Sequence, residues 1–223
     1  MRQLVLEPPT PEATRLSYGG VAWWSGPAGP LGRLMRQAPG QWRRWQRRHG
    51  DLGWRPCALQ LHGSGGSRWE RLWPRRFSRV DGQVLQQRLP AVLRAVGVQR
   101  LAIPRLGPLA LGQRPPSGDR RGLALELPGV GLLEADRLVL AAGAGCRSLW
   151  PSLSPLLQRS WAGVLALHDP PADRGEERIW LPRQWKRPGL ERRADALSED
   201  SWIVDPGLAP RGDGWLAGQI SLV

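Results

Sequence analysis

An acidic residue ends an apolar run near the start of the chain. Val5 and Leu6 are followed by Glu7, and prolines at positions 8, 9 and 11 interrupt the chain directly afterwards. The pattern predicts a buried strand that ends at Glu7. A carboxylate in this place accepts hydrogen bonds from ribose hydroxyls in dinucleotide-binding folds, although an acid at a strand end is more often simply solvated. Glu7 is therefore a candidate ligand-binding residue.

A second apolar run, at residues 138–143, ends in small side chains. Its sequence is Leu-Val-Leu-Ala-Ala-Gly, which is typical of a strand buried on both faces. Ala142 and Gly143 lack bulk, so a ligand could approach the backbone closely there, or a helix could pack against it. The run predicts a strand whose end belongs to a binding site.

A rival dinucleotide motif overlaps this run. Residues 143–148, Gly-Ala-Gly-Cys-Arg-Ser, imitate a glycine-rich fingerprint after a strand. A working fingerprint opens a helix and is followed about 20 residues later by an acid at the end of a second strand. Here Pro151 and Pro155 interrupt the helix, and the next predicted strand ends in His168 before Asp169. We therefore favour the first interpretation of the run.

Other catalytic patterns are weak. The three histidines and the two cysteines are too dispersed to predict a metal site or a disulfide framework, and no GxSxG motif accompanies His168 and Asp169. The turn at residues 63–67 lacks the Gly-Lys-Ser/Thr of a phosphate loop. We expect no metal, and the catalytic residues are unknown.

Several elements must position these residues. An apolar stripe over residues 81–96, closed by Gly97, predicts a helix that leads into a strand at 98–103, which is half of a βαβ unit. Short extended runs at 106–111, 122–127 and 130–133 predict an antiparallel meander. Residues 31–49 predict two short helices separated by Pro39 and Gly40. Runs at 160–167, 178–181, 201–204 and 214–223 predict a second, antiparallel layer.

Together these features resemble the D-amino-acid oxidase-like FAD-dependent oxidoreductases, which include glycine and sarcosine oxidases. The strand ending at Glu7, the Ser-Tyr-Gly-Gly loop at residues 17–20, the helix-Gly-Val segment at 80–98 and the sequence ADRLVLAAGAGCRS at 135–148 are similar to segments of that family. The resemblance implies FAD as cofactor and an amine or amino acid as the oxidised substrate. It assigns FAD-binding roles to the following residues: Glu7, Ser17, Gly19, Gly20, Val98, Ala142 and Gly143.

The resemblance also implies an α/β fold in two parts. An incomplete Rossmann-like FAD-binding domain, with a parallel sheet and a β-meander crossover, is interleaved with an antiparallel-sheet substrate domain. We expect residues 1–28 and 80–155 to belong to the FAD domain. Residues 29–79 and 156–223 would form the substrate domain.

The chain departs from the family pattern at both ends. The family's GxGxxG turn before the first matched strand and its closing segment over the flavin have no counterpart here, so we expect a chain truncated at both ends. Catalysis is then uncertain. The alternatives are a non-catalytic remnant or half of a split flavoprotein, with a complementing chain or a homo-oligomer as partner.

The charge raises a further alternative, a basic nucleic-acid-associated protein. The formal net charge is +13, but only one of the 32 basic residues, Lys186, is a lysine, and the arginines are scattered along the chain apart from clusters at residues 43–48 and 69–79. This bias is more typical of a GC-rich coding sequence than of a phosphate-binding track, so we do not expect nucleic acid as a partner. No apolar run approaches the length of a membrane helix and no signal peptide is present, so we expect a cytoplasmic protein with no membrane partner.

Overall fold

The computed structural model describes residues 3–7, 13–24, 27–62, 77–103, 107–108, 123–127, 129–153, 161–168, 178–182, 196, 199–211 and 214–222. Its strands are β1 (Gln3–Glu7), β2 (Gly20–Val21), β3 (Trp54–His62), β4 (Phe77–Val80), β5 (Val98–Ala102), β6 (Leu123–Leu127), β7 (Gly131–Ala135), β8 (Trp161–Leu167), β9 (Arg178–Pro182), β10 (Trp202–Arg211) and β11 (Gly214–Leu222). Its helices are α1 (Ala13–Leu16), α2 (Pro30–His49), α3 (Gly82–Ala95) and α4 (Cys146–Leu149), and Gly143–Gly145 form a turn of 3-10 helix.

The chain divides into two compact units. The first comprises residues 1–11 and 94–159, and the second comprises residues 12–93 and 160–223. The expected mixed α/β class, with both parallel and antiparallel strands, is confirmed.

The first unit contains a parallel strand pair and a hairpin. β1 and β5 pair in parallel from Gln3 opposite Val98 to Glu7 opposite Ala102. β6 and β7 pair antiparallel, and their connection includes Gly129 with a φ of 75°. These four strands were predicted, and the hairpin corresponds to two of the three runs of the expected meander. The predicted strand at 106–111 lies almost entirely outside the described residues.

The second unit is built on a seven-stranded sheet in the order β2-β4-β3-β9-β10-β11-β8. All of its strand pairs are antiparallel except β3 with β9, where Ala58 lies opposite Arg178. The four strands predicted to form an antiparallel layer, β8, β9, β10 and β11, do pair antiparallel with one another, and the parallel pair of β3 with β9 makes the sheet as a whole mixed. A parallel pair needs a long crossover, and residues 63–177 lie between these two strands.

The core of this sheet follows from alternation along its strands. On β9, Ile179 and Leu181 are buried while their neighbours are half-buried, which is the two-residue period of a strand. Cys57 and Phe77 lie opposite each other on β3 and β4 and join the same cluster, together with Ala209 of β10. Ile179, Leu181 and Phe77 each contribute roughly 1.5–3 kcal/mol to stability, as is typical of fully buried large apolar side chains.

α2 is a single helix, and the expected break at Pro39 does not occur. Pro39 lies inside the helix, and Pro30 occupies its start, where the missing N–H costs nothing. An internal proline removes one backbone hydrogen bond and does not by itself end a helix that is held elsewhere. The side chain of Gln46 provides such an anchor, because its Oε1 accepts hydrogen bonds from the amides of Leu52 (3.3 Å) and Trp54 (2.9 Å).

The predicted strand at residues 138–143 is wrong. Residues 137–142 form no regular structure, and Val139 is 84% exposed. An apolar run becomes a doubly buried strand only where neighbouring strands satisfy its backbone groups. Among the described residues, no strand pairs with this run.

Candidate functional site

Glu7 lies where the sequence placed it, at the carboxyl end of a parallel strand. It is the last residue of β1 and pairs with Ala102, the last residue of β5. Because the two strands are parallel, their carboxyl ends meet at one edge of the sheet. Ligands of open α/β sheets bind outside this edge.

Val98 lies at the other end of the same strand pair. It opens β5 opposite Gln3 and is 9% exposed. The preceding Gly97 has a φ of 79° and donates its amide hydrogen to the carbonyl of Arg94 at 3.0 Å, which confirms the predicted C-terminal cap of α3. At about 3.3 Å per residue, Val98 is roughly 13 Å from Glu7 along the strand. The structure therefore does not bring these two residues together.

Ala142 and Gly143 lie on an exposed stretch of backbone instead of a strand end. Gly143 has a φ of 53°, and a Cβ placed on it would meet no atom within 4 Å. The carbonyl of Ala142 accepts the amide of Gly145 at 2.9 Å, which closes the 3-10 turn before α4. The small residues thus leave an open backbone surface, which belongs to a turn and not to the predicted strand end.

The loop at residues 17–20 is a tightly held structure in the second unit. Ser17 Oγ accepts the amide hydrogen of Gly19 at 3.1 Å, and the carbonyl of Gly19 accepts the amide hydrogen of Val80 at 2.9 Å. Gly19 has a φ of 69°, which favours glycine. Gly20 then pairs with Arg79. Ser17, Gly19 and Gly20 therefore form one local unit against β4.

Gly20 is also constrained by aromatic neighbours. A Cβ on Gly20 would lie 3.0 Å from the ring of Tyr18 and 3.2 Å from the ring of Phe77. Larger residues would force these rings to move. Gly19 and Gly20 therefore allow the loop backbone to pack closely against Val80 and Phe77.

A cleft of about 520 Å³ lies between α2 and strands β3 and β4. Its aromatic lining includes Trp23, the buried Trp54 and the buried Phe77. Its polar lining includes Arg36 and Arg43 of α2. A cleft lined by both aromatic rings and guanidinium groups is suited to a small anionic ligand. The cleft was not predicted from the sequence.

Two aspartates form hydrogen bonds close in sequence to Trp54 and Ser78, which line the cleft. Asp81 Oδ1 caps α3 by accepting the amides of Gln83 (3.0 Å) and Val84 (3.1 Å), and its Oδ2 pairs with Arg79 at 3.2 Å. Asp51 Oδ1 accepts the amide of Gly53 at 2.8 Å. That hydrogen bond is the main cause that lowers the pKa of the Asp51 carboxyl below its ordinary 3.8, and Arg55 at 3.3 Å adds to the effect.

The described residues contain neither a metal-binding cluster nor a membrane-spanning helix. Within those ranges, no group of three or more His, Cys, Asp or Glu side chains could hold a metal ion. Likewise, none of the described helices is long and apolar enough to span a membrane.

The fold is similar to that of several solved structures. Iminodiacetate oxidase from Chelativorans sp. BNC1 matches 98% of this chain with a TM-score of 0.63 and 14% identity, over 65% of its own length. L-amino acid deaminase from Proteus vulgaris matches 98% with a TM-score of 0.62 and 12% identity, over 55% of its length. Glycine oxidase from Bacillus cereus matches 93% with a TM-score of 0.59 and 11% identity, over 62% of its length.

The chain has the fold of the amino-acid and amine oxidases. The resemblance drawn from residues 7, 17–20, 80–98 and 135–148 is confirmed at the level of the fold. The chain spans less than two thirds of the length of each of these enzymes. No protein-family model matches the sequence, and no curated protein matches it either.

Proposed function

We propose that this protein takes part in the FAD-dependent oxidation of an amine or an amino acid. The observation that supports the proposal is the fold, which follows an iminodiacetate oxidase and a glycine oxidase over 98% and 93% of the chain. The solved structures that share this fold support neither a non-catalytic remnant nor a nucleic-acid-associated protein.

The residues present are compatible with FAD. Glu7 lies at the carboxyl end of a parallel pair, where ribose hydroxyls are bound in related folds. A Cβ at Gly143 would meet open space, so a ligand can approach the backbone there. The loop at residues 17–20 is fixed by the hydrogen bond between Gly19 and Val80. Of these features, the open backbone at Gly143 leaves room for a cofactor.

We assign the residues as follows. Glu7 would accept hydrogen bonds from the ribose, and the backbone at Ala142 and Gly143 would lie along the cofactor. Ser17, Gly19 and Gly20 would form the loop beside the flavin ring, and Val98 would contribute backbone contacts near the adenine. When bound, FAD supplies the acceptor for the hydride that leaves the substrate carbon.

We place the substrate in the cleft beside Trp23. Arg36 and Arg43 would attract a carboxylate, and the aromatic lining of Trp54 and Phe77 would exclude water from the amine end. Carboxylates bind arginine through paired, charge-assisted hydrogen bonds. The proposed substrate class is therefore small amines that carry at least one carboxylate.

The domain assignment remains part of the proposal. Residues 1–28 and 80–155 would bind FAD, and residues 29–79 and 156–223 would bind substrate. A complementing chain or a second copy is proposed as the partner, and the cytoplasm as the compartment.

The test is reduction of bound flavin without oxygen. The protein is loaded with FAD and mixed anaerobically with glycine, iminodiacetate, L-amino acids and D-amino acids, while the flavin absorbance is followed. We expect bleaching with at least one carboxylate-bearing amine and none with a matched amine that lacks the carboxylate. Bound flavin that no amine bleaches would refute the proposed reaction while leaving cofactor binding intact.

A further inference from the structure

α2 exposes an apolar stripe. The residues Leu31, Leu34, Ala38, Trp42 and Trp45 recur every three or four positions, so they share one side of the helix. In the structure Leu31 is 59% exposed, Leu34 64% and Trp45 47%. Trp42 and Trp45 also stack edge to face, with ring centroids 5.4 Å apart. Ala38 and Trp42 are half-buried, so the exposed part of the stripe consists of Leu31, Leu34 and Trp45.

A different side of α2 packs on its own unit. Gln46 binds the start of β3 through the amides of Leu52 and Trp54. Gly32 is buried, and a Cβ there would collide with the carbonyl of Pro27. Amphipathic helices of globular proteins usually turn their apolar stripe toward the core. α2 instead packs through Gly32 and Gln46 and leaves Leu31, Leu34 and Trp45 exposed.

The charge of α2 is entirely positive. The helix carries six arginines, at positions 33, 36, 43, 44, 47 and 48, and no aspartate or glutamate. All six arginines are exposed, and the chain as a whole has a formal net charge of +13. A surface that complements α2 must therefore be negatively charged and must also accept apolar side chains.

We propose that α2 docks this protein on the surface of an anionic lipid bilayer. Helices with arginine on the polar side and leucine and tryptophan on the other lie in the membrane interface, with the apolar side buried about 5–10 Å. Anionic headgroups attract the arginines, and the hydrocarbon boundary accepts Leu31, Leu34 and Trp45. The proposal concerns surface docking and differs from our sequence-based expectation of no membrane partner, which rested on the absence of a spanning segment.

Vesicle co-sedimentation tests the proposal. The full chain is mixed with vesicles of phosphatidylcholine alone or of phosphatidylcholine with phosphatidylglycerol. We expect binding to the anionic vesicles, weakening as salt rises, and little binding to the neutral ones. The double variant Leu31→Ser/Leu34→Ser should lose about tenfold or more in partitioning, because leucine burial is removed. Arg47→Gln/Arg48→Gln should lose about fivefold for each charge.

Matched variants separate α2 from the overall charge. Val130→Ser/Leu132→Ser removes two exposed apolar side chains from the first unit, and Arg94→Gln/Arg137→Gln removes two exposed arginines outside α2. We expect the first control to bind as the wild type and the second to lose less than Arg47→Gln/Arg48→Gln. Circular dichroism checks that each variant is folded.

Three results would overturn the proposal. The wild type could fail to bind anionic vesicles, or it could bind neutral vesicles equally well. As a third contradicting result, the variant Leu31→Ser/Leu34→Ser could bind anionic vesicles as tightly as the wild type does. Net charge alone would then explain the binding. If gel filtration then showed a dimer that dissociates in the leucine variant, the stripe would belong to a second copy of the chain.

Discussion

The carbonyl of Gly19 accepts a hydrogen bond of 2.9 Å from the amide of Val80. This contact joins the loop at residues 17–20 to the strand that precedes α3. The loop was assigned from its sequence alone, and the hydrogen bond shows what holds its backbone in place. Substitutions in the loop should therefore affect stability as well as ligand binding.

Gly19→Ala should destabilise the protein strongly. Gly19 has a φ of 69°, and an added Cβ would collide with the carbonyl of Val80. Backbone strain of this kind typically costs about 1–3 kcal/mol, and the collision with backbone adds to it. Urea unfolding of the variant measures the change. Gly40→Ala is the control, because Gly40 lies in α2 with nothing within 4 Å of an added Cβ, and it should be neutral or slightly stabilising.

Asp81 should contribute more to stability than an exposed acid does. Asp81→Ala removes the cap of α3 and the ion pair with Arg79, whose side chain is only 9% exposed. Loss of a cap typically costs about 0.5–2 kcal/mol, and the lost charge partner should add to that. Asp81→Asn keeps a capping oxygen and should recover part of the loss. Equal stabilities of the two variants in urea unfolding would show that the cap contributes nothing.

The Asp51 carboxyl should make a small contribution to acid sensitivity. Its pKa is lowered in the folded protein, chiefly by the Gly53 amide, so it stabilises the fold above its ordinary value of 3.8. This contribution is lost as pH falls through the lowered folded pKa. Since the side chain is 47% exposed, solvent screening keeps the effect small.

The measurement for Asp51 is unfolding free energy against pH. Wild type and Asp51→Asn are compared in urea from about pH 5 down to about pH 3. Asparagine can still accept the Gly53 amide but cannot titrate. The wild type should lose more stability on acidification than the variant, and parallel curves would contradict the assignment.

Glu7→Gln should weaken FAD binding without unfolding the protein. A hydrogen bond to a charged acceptor contributes about 1.5–3 kcal/mol, which corresponds to a loss of roughly tenfold or more in affinity. Glu134→Gln is the matched control, because Glu134 is an exposed acid on a strand of the hairpin. FAD titrations followed by flavin fluorescence compare the two. Equal affinities would remove Glu7 from the proposed site.

Local patterns in the sequence predicted part of the second unit. Runs bounded by turn residues identified β8 to β11, and the periodic stripe with Gly97 identified α3 and its cap. These signals depend on residues that are neighbours in the sequence, so the sequence alone reveals them. It does not reveal the pairing of β3 with β9, because these strands are more than one hundred residues apart in the sequence.

The failures have physical causes of the same kind. Residues 138–143 have the composition of a buried strand, but composition does not specify whether strand partners are present. Pro39 interrupts the helical pattern, but the anchoring of Gln46 to Trp54 supports one continuous helix.

The candidate site was predictable only in part. The strand that ends at Glu7 was predictable because an apolar run followed by prolines is a local signal, and the loop at residues 17–20 was assigned from the family resemblance. The cleft could not be predicted, since it forms where Arg36 and Arg43 of α2 come to lie across Trp54 and Phe77. That arrangement depends on tertiary packing of distant segments.

The most direct test of the account is whether this chain retains FAD. The purified protein is incubated with excess FAD and desalted, and its absorbance is recorded between roughly 350 and 500 nm, where bound flavin absorbs. The account predicts flavin peaks in the protein fraction that are reduced in the Glu7→Gln variant. A folded but colourless protein would contradict the claim that these residues form a cofactor site.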